Sequence, residues 1–77
     1  MPQPVAASVQ KRSGGRCEAA TPDCTHRAEH LHHRLMRSQG GPDRAANLLH
    51  VCAACHRFIH DNPAMSYETG WLLRRNS

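Results

Sequence analysis

Residues 47–60 read Asn-Leu-Leu-His-Val-Cys-Ala-Ala-Cys-His-Arg-Phe-Ile-His, and this stretch decides the fold. Leu48, Leu49 and Val51 crowd the run Asn47–Val51, which reads as a short strand. Ala53–Asp61 then reads as a short helix. It stops at Asp61-Asn62-Pro63, because a proline steers the residue before it away from helical geometry. Cys52 and Cys55 form a C-x2-C pair at the start of that helix. His56 and His60 are four apart on it, so both lie on one face, one turn from each other.

Upstream, Ala28–Leu35 reads as a first strand carrying the adjacent pair His32-His33. Between the strands, Ser38-Gln39-Gly40-Gly41-Pro42-Asp43 is a loop, since glycine and proline interrupt regular structure. Cys17 to Cys24 is another loop, broken by Pro22 and Asp23. Met1–Gly15, with Pro2, Pro4, Lys11, Arg12 and Gly14-Gly15, reads as a flexible basic leader to a domain over 16–77. The tail Ser66–Arg75 carries the apolar Trp71-Leu72-Leu73 and returns to the core as either a helical turn or a strand. Phe58, Ile59, Leu48, Leu35 and Val51 are the expected core. The fold class is a small α+β unit, a two-stranded hairpin and one helix.

A chain of 77 residues with one Phe, one Tyr and one Trp buries too little surface to be secure on its core alone. Scaffolds of this size need disulfides or a metal, and four cysteines and seven histidines supply candidates. No apolar run approaches a bilayer span, and no signal-peptide pattern opens the chain. The expected compartment is the cytoplasm, where thiols stay reduced and metal binding is favoured over disulfides. The net charge is +4 and the pI about 9.3. All but one of the ten cations are arginine, the residue better suited to paired contacts with phosphate. Nucleic acid is the partner this balance favours.

Cys17 and Cys24 form a second pair, spaced C-x6-C, wider than a usual knuckle. Two pairs of soft ligands suit one tetrahedral zinc, and a closed four-thiolate shell serves folding rather than chemistry. Cys52-Ala53-Ala54-Cys55-His56 also fits the C-x-x-C-H haem attachment pattern. That alternative leaves Cys17 and Cys24 unexplained and finds few bulky apolar residues to enclose a porphyrin.

Taken together, His32-His33-Arg34, Gly40-Gly41, Asn47-Leu48-Leu49, Cys52-Ala53-Ala54-Cys55-His56 and His60 resemble the HNH nucleases, also called ββα-metal or His-Me finger nucleases. The likeness covers about residues 17–60. Small phage-encoded members with paired cysteines and a Gly-Trp tail, here Gly70-Trp71, are the most similar. The resemblance implies a ββα-metal finger held by structural zinc on Cys17, Cys24, Cys52 and Cys55. It implies His33 as general base and His32, His56 and His60 as ligands of a catalytic divalent ion such as Mg2+, Mn2+ or Ni2+. It implies Asn47 as a brace of the finger. The activity so implied is hydrolysis of DNA phosphodiester bonds to 5′-phosphate and 3′-hydroxyl ends. Three protein ligands leave open positions, as a catalytic metal requires, and a free imidazole takes protons near neutral pH.

Arg34, Arg37 and Arg57 flank the motif, and Arg37 and Arg57 are the favoured phosphate contacts. His26 and His50 are expected at the surface or behind the metal ligands. One geometric problem stands out. Neighbouring residues of a strand point to opposite faces, so His32 and His33 reach one phosphate only if the strand bulges or ends there. His30 with His32 is the alternative pair on one face. A non-catalytic zinc module that binds DNA is the competing function class. Nothing resembles a sequence-reading domain, so target choice falls to a partner, which the resemblance suggests to be a phage packaging terminase.

Overall fold

Strands β1 (His30–His33) and β2 (Leu48–Val51) pair antiparallel, with His30 opposite Val51 and His33 opposite Leu48. The computed structural model describes residues 3–74, so Met1, Pro2 and the expected tail residue Arg75 lie outside the described residues. Helix α1 (Gln3–Ser13) precedes the hairpin, and α2 (Ala53–Asp61) and α3 (Pro63–Thr69) follow it. Short 3-10 turns at Arg37–Gln39 and Ala45–Asn47 shape the loop between the strands. The chain is thus a small α+β protein, and α2 has the bounds expected from sequence.

The core is small. Leu48, Val51 and Ile59 are buried as expected, alongside Val9, Cys52, Cys55 and Leu72. Leu35 and Phe58 are only half-buried. Phe58 packs edge-on against Trp71, ring centroids 6.1 Å apart.

The expected flexible leader is instead helix α1, and it docks on the hairpin. Its proline and glycines mark the helix ends rather than dissolving the segment. Pro4 sits in the first turn, where a missing N–H does no harm. Gly14 and Gly15 take left-handed φ values of 63° and 82° just past the last turn. Val9 is fully buried. Arg12 anchors the helix by donating to both Glu18 carboxylate oxygens (2.7 and 2.8 Å) and to the carbonyls of Ala45 and Leu48. Those contacts depend on residues far along the chain, so no local pattern announces them.

The first strand is shorter than the expected Ala28–Leu35, and Asn47 belongs to a 3-10 turn rather than to β2. The tail resolves to helix over Pro63–Thr69, closed by Gly70 at φ 86°. Pro63, which ends α2, also opens α3. Ser66 locks the junction, its single hydroxyl proton shared between the carbonyls of Ile59 and Asn62, each 2.8 Å away.

Candidate metal centres

The sulfur cluster is assembled from both ends of the chain. Cys17 and Cys24 sit on a loop closed by Cys17 N–H donating to the His26 carbonyl at 2.9 Å and by the Arg16–Arg27 bridge. Cys52 caps α2, its Sγ accepting from the Cys55 N–H at 3.2 Å, and Cys55 lies in the first turn. The four sulfurs all lie within 4.8 Å of one another. Tetrahedral thiolates on one zinc sit roughly 3.8 Å apart, so the cluster is drawn in to nearly ligand spacing. The four are close enough to hold a metal ion.

The surroundings favour thiolate at one sulfur first. Burial raises the Cys52 thiol, but the Thr25 and Cys55 donors outweigh it and bring it down to about 6. Burial, with Cys52 and Cys17 adding to it, pushes Cys55 up to about 12 despite the Thr21 hydroxyl at 3.0 Å. Cys24 is raised as well, chiefly by burial. Four sulfurs this close cannot all ionise unaided, and a dication is what lets them. Backbone N–H groups of Thr25 and His26 already point at Cys52 and Cys24, at 3.4 and 3.3 Å. The donor set therefore fits a thiophilic metal.

The nitrogen cluster lies where β1 faces α2. His32, His56 and His60 each bring a ring nitrogen to within 4.8 Å of the others. Strand alternation puts His30 and His32 on the face turned to α2, and ring centroids of both lie close to His56, at 5.1 and 5.3 Å. Burial changes across the cluster: His32 is buried, His56 intermediate and His60 exposed. One side of the site is therefore open to solvent.

Hydrogen bonds set the ring states. The Trp71 carbonyl, 2.7 Å from His32 Nε2, can only accept. Neutral His32 thus carries its proton on Nε2 and its lone pair on Nδ1, the usual arrangement behind a metal ligand. Desolvation, opposed by the Trp71 carbonyl, lowers the His32 pKa. Desolvation lowers His56 to about 4, helped by the three neighbouring imidazoles. Both rings are neutral at pH 7, as ligands must be. His30 Nδ1 lies 2.9 Å from His56 Nδ1, so the alternative strand partner joins the cluster edge without displacing His32.

His33 is not in this cluster. It is the last residue of a regular strand, without a bulge, and its Nε2 lies 2.7 Å from Asp43 Oδ1. Three of the four histidines expected to converge do so, and the fourth sits beside them on the opposite strand face, paired with an aspartate that sequence reasoning did not single out. Asn47 is a brace. Its side-chain oxygen accepts from Leu35 N–H at 2.9 Å, and its amide donates to the carbonyls of Leu35 and Pro42, each at 3.1 Å.

Arg37 and Arg57 are exposed, and the Arg37 charge reaches Asp43. Arg34 instead donates to the Gly70 carbonyl at 2.8 Å. His26 is exposed near Cys24, whereas His50 is buried and bonded to the Ser13 hydroxyl at 2.6 Å. His50 thus ties α1 to β2 rather than standing behind a metal. Cys52 and Cys55, the pair of the haem alternative, lie with Cys17 and Cys24 in one cluster. No helix among the described residues is long and apolar enough to cross a membrane. No family model matches the chain, and neither the curated proteins nor the solved structures contain a match.

Proposed function

We propose that this protein is a metal-dependent endonuclease of the HNH, or ββα-metal, type that hydrolyses DNA phosphodiester bonds. The observation that carries the reading is the His32–His56–His60 cluster, neutral where its ring states are set, open to solvent on one side and adjacent in sequence to a further histidine. In the same reading the four cysteines hold structural zinc, which fixes the start of α2 and with it His56 and His60.

His32, His56 and His60 would hold a divalent ion such as Mg2+, Mn2+ or Ni2+, which would supply positive charge to the scissile phosphate and the departing 3′ oxygen. His33 accepts a proton from water as the water oxygen bonds to phosphorus. The P–O3′ bond breaks and the 3′ oxygen takes a proton from solvent water, leaving a 5′-phosphate and a 3′-hydroxyl. Arg37 and Arg57 hold neighbouring phosphates, which positions the duplex without reading its sequence. Asn47 keeps the β1 end and the following loop in register. Target choice comes from a partner, a packaging terminase if the chain is phage-encoded, acting in the host cytoplasm.

The test is plasmid cleavage in Mg2+, Mn2+ or Ni2+ with the parent and His33→Ala proteins, beside metal analysis of both. The parent nicks or linearises DNA, and His33→Ala is slower by about 10²- to 10⁴-fold with its zinc content unchanged. Binding without cleavage in all three metals overturns the enzyme in favour of a zinc module that only binds DNA. Equal rates for the two proteins remove His33 as the base.

A further inference from the structure

We propose that Asp43 is a positioning residue for His33: its carboxylate takes the Nε2 proton and so makes Nδ1 the basic nitrogen of the ring. The proposal rests on the nuclease reading for its kinetic consequence, but its structural half stands on geometry alone. His33 Nε2 and Asp43 Oδ1 are 2.7 Å apart, with side chains only 13% and 27% exposed. The bond from His33 holds the Asp43 carboxyl below its ordinary range, so the group is ionised near neutral pH and can only accept. The nitrogen facing it must therefore bear hydrogen, and in neutral imidazole the lone pair is left on Nδ1.

The loop that brings Asp43 to His33 is built for a fixed return. Gly41 passes against the segment that continues β1, where a Cβ would collide with the Leu35 carbonyl. Gly41 N–H donates to the Met36 carbonyl at 3.0 Å. The Asn47 amide then joins Leu35, two residues after His33, to Pro42, one residue before Asp43. His33 and Asp43 thus stand at the two ends of a stapled turn. A surface pair of long, free side chains has no such frame and contributes little. Here the carboxylate selects a tautomer, and a base held in the wrong tautomer presents N–H instead of a lone pair to water.

The experiment uses the full-length, zinc-loaded chain, labelled with 15N, at about pH 8, where an unperturbed imidazole is neutral. Two-bond 1H–15N spectra report which ring nitrogen of His33 is protonated, and a His33→Gln sample assigns the signal. In the parent, Nε2 is protonated and Nδ1 bare. In Asp43→Ala the ring becomes a tautomer mixture, and kcat for DNA cleavage falls about 10- to 100-fold with KM within about twofold. Asp43→Asn, whose carboxamide oxygen still accepts, recovers most of both. A parent-like tautomer in Asp43→Ala overturns the proposal, and so does a shifted tautomer with unchanged kcat. If the parent protein cuts no DNA, the nuclease reading falls, while the spectra still decide whether Asp43 sets the His33 tautomer.

Discussion

The sulfur cluster and the nitrogen cluster are gathered to the same tightness, each within 4.8 Å, but they sit differently in the fold. Cys52 and Cys55 have no solvent exposure and join the core with Val51 and Ile59. The nitrogen cluster begins at buried His32 and ends at exposed His60. The sulfur cluster passes from buried Cys52 and Cys55 to half-buried Cys17 and Cys24, with no exposed member, and the histidine cluster is left with a face open to solvent. Enclosure goes with a role in folding, and an open face with a role in chemistry.

The comparison breaks most sharply if metal is removed from one cluster at a time. Stripping the proposed zinc with a strong chelator at neutral pH removes on the order of 10 kcal/mol, as much as the whole net stability of an ordinary domain. Far-UV circular dichroism then shows an unfolded chain, and Cys55→Ser behaves the same way even with zinc supplied. His56→Ala, by contrast, keeps its helices and its zinc. If Cys55→Ser stays folded, the sulfur cluster does not staple the molecule.

Asn47→Ala tests the brace of the loop that follows β1. It leaves the Leu35 N–H, the Leu35 carbonyl and the Pro42 carbonyl without their partner. The expected loss is about 2 kcal/mol, or roughly 10 °C in melting temperature for a chain this small, with zinc content intact. An unchanged melting temperature removes Asn47 as a structural brace.

The part of the molecule legible in the sequence is the part governed by local period. The C-x2-C pair, the His56–His60 spacing and Pro63 fix α2 and two ligands of each cluster without reference to distant residues. Helix α1 was hidden because its anchoring Arg12 bonds to Ala45 and Leu48 carbonyls, which no side-chain pattern can announce. The Trp71 carbonyl behind His32 was hidden for the same reason. Asp43 was visible only as a loop residue. Its pairing with His33 depends on how the Gly40-Gly41-Pro42 turn closes, and the lack of room for a Cβ at Gly41 becomes visible only in the folded chain.

His30 sharpens the nitrogen side. Its Nδ1 lies 2.9 Å from His56 Nδ1, so in the proposed reading it orients a ligand. His30→Ala weakens divalent-metal binding at the histidine cluster by about 10-fold, read by calorimetric titration of the zinc-loaded protein with Ni2+. The sulfur cluster does not respond. Unchanged Ni2+ affinity means that His56 needs no partner to face the ion.

The pH dependence of stability isolates the contribution of the nitrogen cluster. Burial among other imidazoles lowers His56 from 6.5 to about 4, and His32 is lowered too. Below pH 6.5 the unfolded chain takes up protons that the folded chain refuses. Stability contributed by these neutral rings is therefore full above about pH 6.5 and declines as pH falls, for His56 until about pH 4, where the folded ring charges as well. Protonation of thiolates acts in the same direction, so the parent is compared with zinc-loaded His56→Gln, without added second metal, in chemical denaturation between pH 7 and 5. Because glutamine does not titrate, the parent loses more stability than the variant over that interval. Parallel curves mean that His56 protonates as easily in the folded protein as in the unfolded chain, and a site that accepts protons so readily at pH 6 is poorly prepared to hold a dication.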